Sequence, residues 1–218
     1  MSTKSEQSSP NWPKKWQTFC SINPTRAELD AAGFGTMRSN IYRWAARYNI
    51  AKSFEGVILH PDSNLSEKTI KMYGAVFKIF LVYSCFEHFC KISGVKMDED
   101  GDLKTLQQQY EPAPTLLAIR GLDQPGYDFF SFVAERLDPR PAARMQSFIQ
   151  GNSCNVSFIG KAIRHLFAHG NLAATSGQMV IGRRKKLEDL LTKFLFKVMD
   201  AEFSSKMTAL ENNRNNTI

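Results

Sequence analysis

The chain is short of the residues that staple small proteins together. Its four cysteines, Cys20, Cys85, Cys90 and Cys154, show neither paired zinc spacing nor a secreted disulfide framework. Cys85 and Cys90 lie in an apolar stretch, where reduced core thiols are expected, and that fits a reducing cytoplasm. An apolar leader is also lacking: MSTKSEQSSPNWPKKW has no h-region, so no signal peptide is expected there. The most apolar run, Met72 to Cys90, is interrupted by Lys78, Glu87 and His88. A membrane span needs roughly 20 apolar residues with few or no charges, so a buried helix and no membrane contact are expected. The motifs with the sharpest local spelling are missing as well: there is no GxSxG, no Walker loop, no GxGxxG and no HExxH. The segment MDEDGD at 97–102 resembles the start of a calcium loop. Counted from Asp98, however, Leu103 and Gln109 stand where that loop needs Gly and Glu. A solvated acidic turn is the better reading, and no metal or cofactor is expected.

What is present is an ordinary globular composition, 43% hydrophobic and 22% charged over 218 residues. That length suits one domain with a small appendage and a core that needs no staples. Lys and Arg number 28 against 21 Asp and Glu, a formal charge of +7. Such an excess favours acidic partners, nucleic acid first among them, and also serves solubility.

Helical periodicity and breakers divide the chain into an all-α arrangement. Residues 1–22 read as a flexible polar tail in which Trp12 and Trp16 are the residues able to dock. Residues 23–54 read as a helical hairpin turning at Gly33–Gly35, with Ile41, Trp44 and Ala45 on one face and Arg38, Arg43 and Arg47 elsewhere. Its spacing resembles a helix-turn-helix, so DNA contact through 25–50 is one possible use. Ser66 is placed to cap a long helix that runs to Ile92 and stops at Gly94. That helix is apolar around nearly its whole circumference, as a central helix is. The prolines of 111–126 predict a loop, and short helices follow at 127–137 and 142–150, split by Pro139 and Pro141. A helix over 153–169 ends at Gly170, 173–182 allows a turn or small hairpin, and an amphipathic helix covers 183–210. Residues 212–218 read as a frayed tail.

The informative stretch is AIRHLFAHGNL, Ala162 to Leu172, in which four residues separate Arg164 from His169 near the end of a helix. This resembles the signature of the HEPN superfamily (higher eukaryotes and prokaryotes nucleotide-binding domains), an Arg, four to six residues, then His. The form RHLFAHGNL is similar to bacterial branches in which a polar residue follows the Arg and Gly follows the His. The specific match covers about ten residues, in a matching context of a long apolar helix before it and an amphipathic helix after it. The resemblance implies a HEPN-like up-down helical bundle over 55–211, with the N-terminal helical extension lying outside it. It implies Arg164 and His169 as catalytic residues of an endoribonuclease, paired with a second copy across a homodimer groove. It also implies that Glu87, a polar residue on the central helix, orients Arg164. Relatives of this kind act as toxins, stress or defence effectors, often with a neutralising antitoxin partner.

The chemistry stands on the residues alone. Cleaving RNA without metal needs a base for the 2′-hydroxyl proton, an acid for the leaving oxygen and a cation for the charge on phosphorus. Histidine titrates near neutrality, and arginine grips phosphate with a planar fork. Five positions on a helix set Arg164 and His169 about 140° apart around its axis. Either the helix unwinds before Gly170, or a second chain completes the site. His165, one turn from His169, and Asn171 are candidates to hold RNA, as is the basic run Arg183, Arg184, Lys185 and Lys186 at a helix N-terminus. Two bland readings stand beside this: His169 as an ordinary helix-end residue favoured by the dipole, and His165 with His169 as a zinc pair lacking further ligands. The alternative function is a non-catalytic, dimeric nucleic-acid-binding or regulatory module.

Overall fold

A computed structural model describes residues 11–60, 62–123, 128–173 and 179–216. Those residues form ten helices and no strand: α1 Trp16–Ile22, α2 Arg26–Ala31, α3 Arg38–Ser53, α4 Glu67–Ile92, α5 Asp102–Gln108, α6 Pro112–Arg120, α7 Phe129–Ala134, α8 Pro139–Ile149, α9 Val156–Ala168 and α10 Ile181–Asn215. The bundle packs around its two long helices, α4 and α10. The Ser66 hydroxyl accepts the Thr69 amide at 3.2 Å and opens α4. Gly94, at φ +70°, closes it, and the Val95 amide reaches back to the Cys90 carbonyl at 2.9 Å. α4 is the one helix among the described residues long and apolar enough to cross a membrane. Here α3, α9 and α10 lie against it, which accounts for its apolar residues on every side.

The N-terminal hairpin belongs to the same core. Ile41, Trp44, Ala45 and Tyr48 are buried along one face of α3. The Trp44 ring lies 5.1 Å from both Phe89 of α4 and Phe203 of α10. Such ring pairs add about 0.5–1.5 kcal/mol each beyond their buried area. The Tyr48 hydroxyl donates to Asp200 at 2.9 Å. At the far end of α10, Arg214 donates to both oxygens of Glu28 at 2.5 and 3.0 Å. That guanidinium, helped by Thr25, holds the Glu28 carboxyl down at about 2.

Several boundaries differ from the sequence expectation. Residues 16–22 form α1 instead of a loose tail: Trp12 stacks on Trp16 at 5.5 Å, and Phe19 is fully buried. The expected loop at 111–126 contains α6. Pro112 and Pro114 sit in its first turn, where no backbone N–H is required, and Leu116 and Ile119 anchor it. By the same logic Pro139 and Pro141 open α8. α5 follows the acidic turn, and α10 extends to Asn215, beyond the expected end at 210. Residues 1–10, 124–127, 217–218 and the centre of the expected turn, 174–178, lie outside the described residues.

Candidate functional site

Local packing of α9 on α4 builds the site. At Gly160 a Cβ would come within 3.3 Å of the Tyr83 ring, so the missing side chain lets the two helices approach closely. One turn further along each helix, on the same faces, stand Arg164 and Glu87. Their nearest atoms, Nη2 and Oε2, are 3.5 Å apart, and both side chains remain partly open to solvent. The Arg164 guanidinium centre also lies 5.8 Å from the rings of Phe80 and Tyr83. One carboxylate and two aromatic rings thus fix the arginine's direction. Its Nε is buried and has no hydrogen-bond partner among the described residues. Burial, reinforced by Glu87, holds the Tyr83 phenol well above its ordinary range.

Arg164 and His165 line a groove of about 400 Å³ between α8, α9 and the 97–99 turn. Phe158 and Leu137 give it apolar walls, and Arg140, Arg144 and Lys161 give it cations. Arg144 holds Asp100 through two bonds, at 2.7 and 3.1 Å. Lys161 lies 3.6 Å from Glu99. These cations were not singled out in the sequence. Lys161, Arg164 and His165 do share one face at helical spacing, a signal that was available. The convergence of Arg140 and Arg144 depends on how α8 meets α9, which no spacing reveals.

The end of α9 is a tight backbone motif. The Asn171 amide donates to Leu166 at 2.8 Å and the Gly170 amide to Phe167 at 3.1 Å, with Gly170 at φ +73°. This pairing of amides with the last orphan carbonyls is the Schellman closure. α9 stays regular to Ala168, so unwinding does not bring Arg164 and His169 onto one phosphate within a single chain. The His165 and His169 rings stand 4.5 Å apart at the tip. His169 and Asn171 are exposed, and His165 is half-buried.

The basic run at 183–186 is divided in use. Arg184 is 1% exposed, with its guanidinium 5.3 Å from the Phe129 ring and Nη1 donating to the Ala173 carbonyl at 3.4 Å. Burial lowers its pKa to about 10. It packs in the interior and is not presented to a surface ligand. Lys185 pairs with the buried Glu188 and lies 3.8 Å from Asp189. Arg183 is half-buried and Lys186 exposed. Among the described residues no three His, Cys, Asp or Glu side chains converge as metal ligands. Comparison with protein families, with curated proteins and with solved structures gives no match to this chain.

Proposed function

We propose that this protein is a metal-independent endoribonuclease of the HEPN kind that works as a homodimer. The observation that carries the reading is Arg164, aimed by Glu87, in the wall of a cationic groove beside His165, with His169 one turn beyond His165 at the exposed helix tip. In the reaction the RNA 2′-oxygen attacks the adjacent phosphorus. The new P–O2′ bond forms as P–O5′ breaks, giving a 2′,3′-cyclic phosphate and a 5′-hydroxyl. His169 takes the 2′-hydroxyl proton or supplies one to the departing oxygen. Arg164 stabilises the charge that builds on the non-bridging oxygens.

Attacking and leaving oxygens lie roughly in line on opposite sides of phosphorus. His165 and His169 occupy one tip, on one side of any phosphate placed there, so a second chain is needed to supply the opposite group. Phe77, 37% exposed, and the neighbouring Phe80 and Phe167 rings provide an apolar face beside Arg164 on which that copy can pack.

The test is cleavage of labelled RNA in EDTA by the parent protein, R164A and H169A, with sedimentation of each. Cleavage that survives EDTA and falls at least about a hundredfold in both variants, in a dimeric protein, is the expected result. Undiminished cleavage in either variant, or full activity in a stable monomer, overturns the proposal. Absence of cleavage with retained salt-sensitive binding points to the binding module instead.

A further inference from the structure

A second cationic pocket, of about 560 Å³, lies across Glu87 from the groove just described. Arg47 of α3 and Glu87, His88 and Lys91 of α4 line it, with Met97 at its margin. Glu87, His88 and Lys91 share one helical face, and Arg43 stands one turn from Arg47. Arg43, Arg47 and Lys91 are exposed. The side chains of Arg47 and Lys91 make no hydrogen bond or ion pair among the described residues, and Glu87 is the one acid in the lining, its carboxylate turned to Arg164. His88 sits among these cations with Nδ1 buried and no hydrogen-bond partner. Burial first, then the charges of Arg47, Lys91 and Arg43, hold its pKa below the ordinary histidine value. An anion in the pocket would offset the mutual repulsion of Arg47, Lys91 and Arg43. Met97 lines both cavities, and the Glu87–Arg164 pair links the lining of one to the lining of the other.

We propose that the α3–α4 pocket is a phosphate subsite, in which Arg47, Lys91 and His88 hold the RNA backbone next to the phosphate gripped by Arg164. The proposal rests on the nuclease reading and extends it, because α3 lies outside the stretch that resembles HEPN bundles. The N-terminal hairpin then contributes more than packing: it supplies one wall of the substrate track. The chemistry is that of backbone positioning, in which cations fix the strand without reading its bases.

The experiment uses the full chain carrying His169→Ala, so that RNA binds without being cut. Affinity for a single-stranded RNA is measured at several salt concentrations for this parent and for the same chain with Arg47→Glu and Lys91→Glu. A control carries Lys14→Glu and Lys68→Glu, two exposed lysines that line neither cavity. The same change in net charge is thereby placed elsewhere. The Arg47/Lys91 reversal is expected to weaken binding at least about tenfold and to flatten the salt dependence by about 1.4, since each single-strand phosphate contact contributes about 0.7. The control is expected to change affinity less than about twofold at physiological salt, where charges beyond about 8 Å are screened. R47Q/K91Q, a milder pair, reports the same trend should the reversal disturb folding. Equal weakening by both reversals, or no weakening by the Arg47/Lys91 pair, overturns the subsite. Equal affinity for DNA of the same sequence, lost with the same two residues, overturns its assignment to RNA. A parent that binds no RNA at all overturns the nuclease reading itself, a result distinct from the others.

Discussion

Two groups of cations in this molecule are deployed in opposite ways. At the start of α10, Arg183, Arg184, Lys185 and Lys186 are adjacent in the chain. Successive residues of a helix turn by about 100°, so four neighbours point around its whole circumference. On a helix packed against a core, one of them must face inward, and that one is Arg184, beneath Phe129. The next finds carboxylates on its own helix, Glu188 and Asp189. At the α3–α4 pocket, Arg47 and Lys91 are far apart in sequence, yet their helices bring them to one opening whose one carboxylate, Glu87, is turned to Arg164. Adjacency in sequence scatters charge on a helix, and periodic spacing across two helices gathers it. A basic run is therefore a poor guide to where cations converge on one surface.

The sharpest way to break this comparison is to truncate Arg184. Arg184→Ala removes a buried stem and the guanidinium's contact with Phe129, and should lower unfolding free energy by roughly 3 kcal/mol in urea titration. Arg184→Met keeps most of the volume and removes the charge, so it should stay within about 1 kcal/mol of the parent or exceed it. If Arg184→Ala unfolds at the parent's urea midpoint, Arg184 is not a core residue and the contrast between the two groups collapses.

Lys185→Ala should come next. It leaves Glu188, whose side chain is 3% exposed, without its nearest cation. Burial already raises the Glu188 pKa; Asp189 adds to that, while Lys185 and the more distant Lys78 oppose it. A carboxyl whose folded pKa lies above its unfolded value of 4.5 favours the fold at pH below 4.5. That advantage disappears as pH rises through the folded value. Losing Lys185 moves the folded value higher, so the variant should be about 1 kcal/mol less stable than the parent at pH 7. The gap should close near pH 4, where Glu188 is protonated in both. A gap of the same size at both pH values would show that Glu188 does not depend on Lys185.

The same physics explains what could be read from the sequence. α4 and the middle of α10 were legible because their apolar residues recur with the helical period over many turns. α6 was not, because Pro112 and Pro114 read as helix breakers in a sequence, whereas at a helix start they are tolerated. Arg164 and His169 stand out through the resemblance of their stretch to a family signature, and Glu87 through what that resemblance implies for a polar residue in an apolar helix. The groove cations Arg140 and Arg144, and the pocket formed by Arg47 with Lys91, come from crossings between helices. Single-helix periodicity carries no information about those crossings. The burial of Arg184 is illegible for the complementary reason: a charged residue in a basic run gives no sign of which way its helix faces.

The smallest expected effect belongs to Lys186, the exposed lysine of the run. It stands beyond the first turn of α10, where the helix dipole has little reach, so Lys186→Ala should change stability by less than about 0.5 kcal/mol. In the His169→Ala background its effect on RNA affinity should also be small, within about threefold, as for loss of one screened surface charge. The value of this weak variant lies in its comparison with the Arg47 and Lys91 reversal. A strand that crosses α4 from the α3 pocket to Arg164 has no need of α10, and its salt dependence should barely register the loss of Lys186. If Lys186→Ala instead weakens RNA binding as strongly as the pocket reversal, the strand runs along the start of α10, and the adjacent cations, not the gathered ones, guide it.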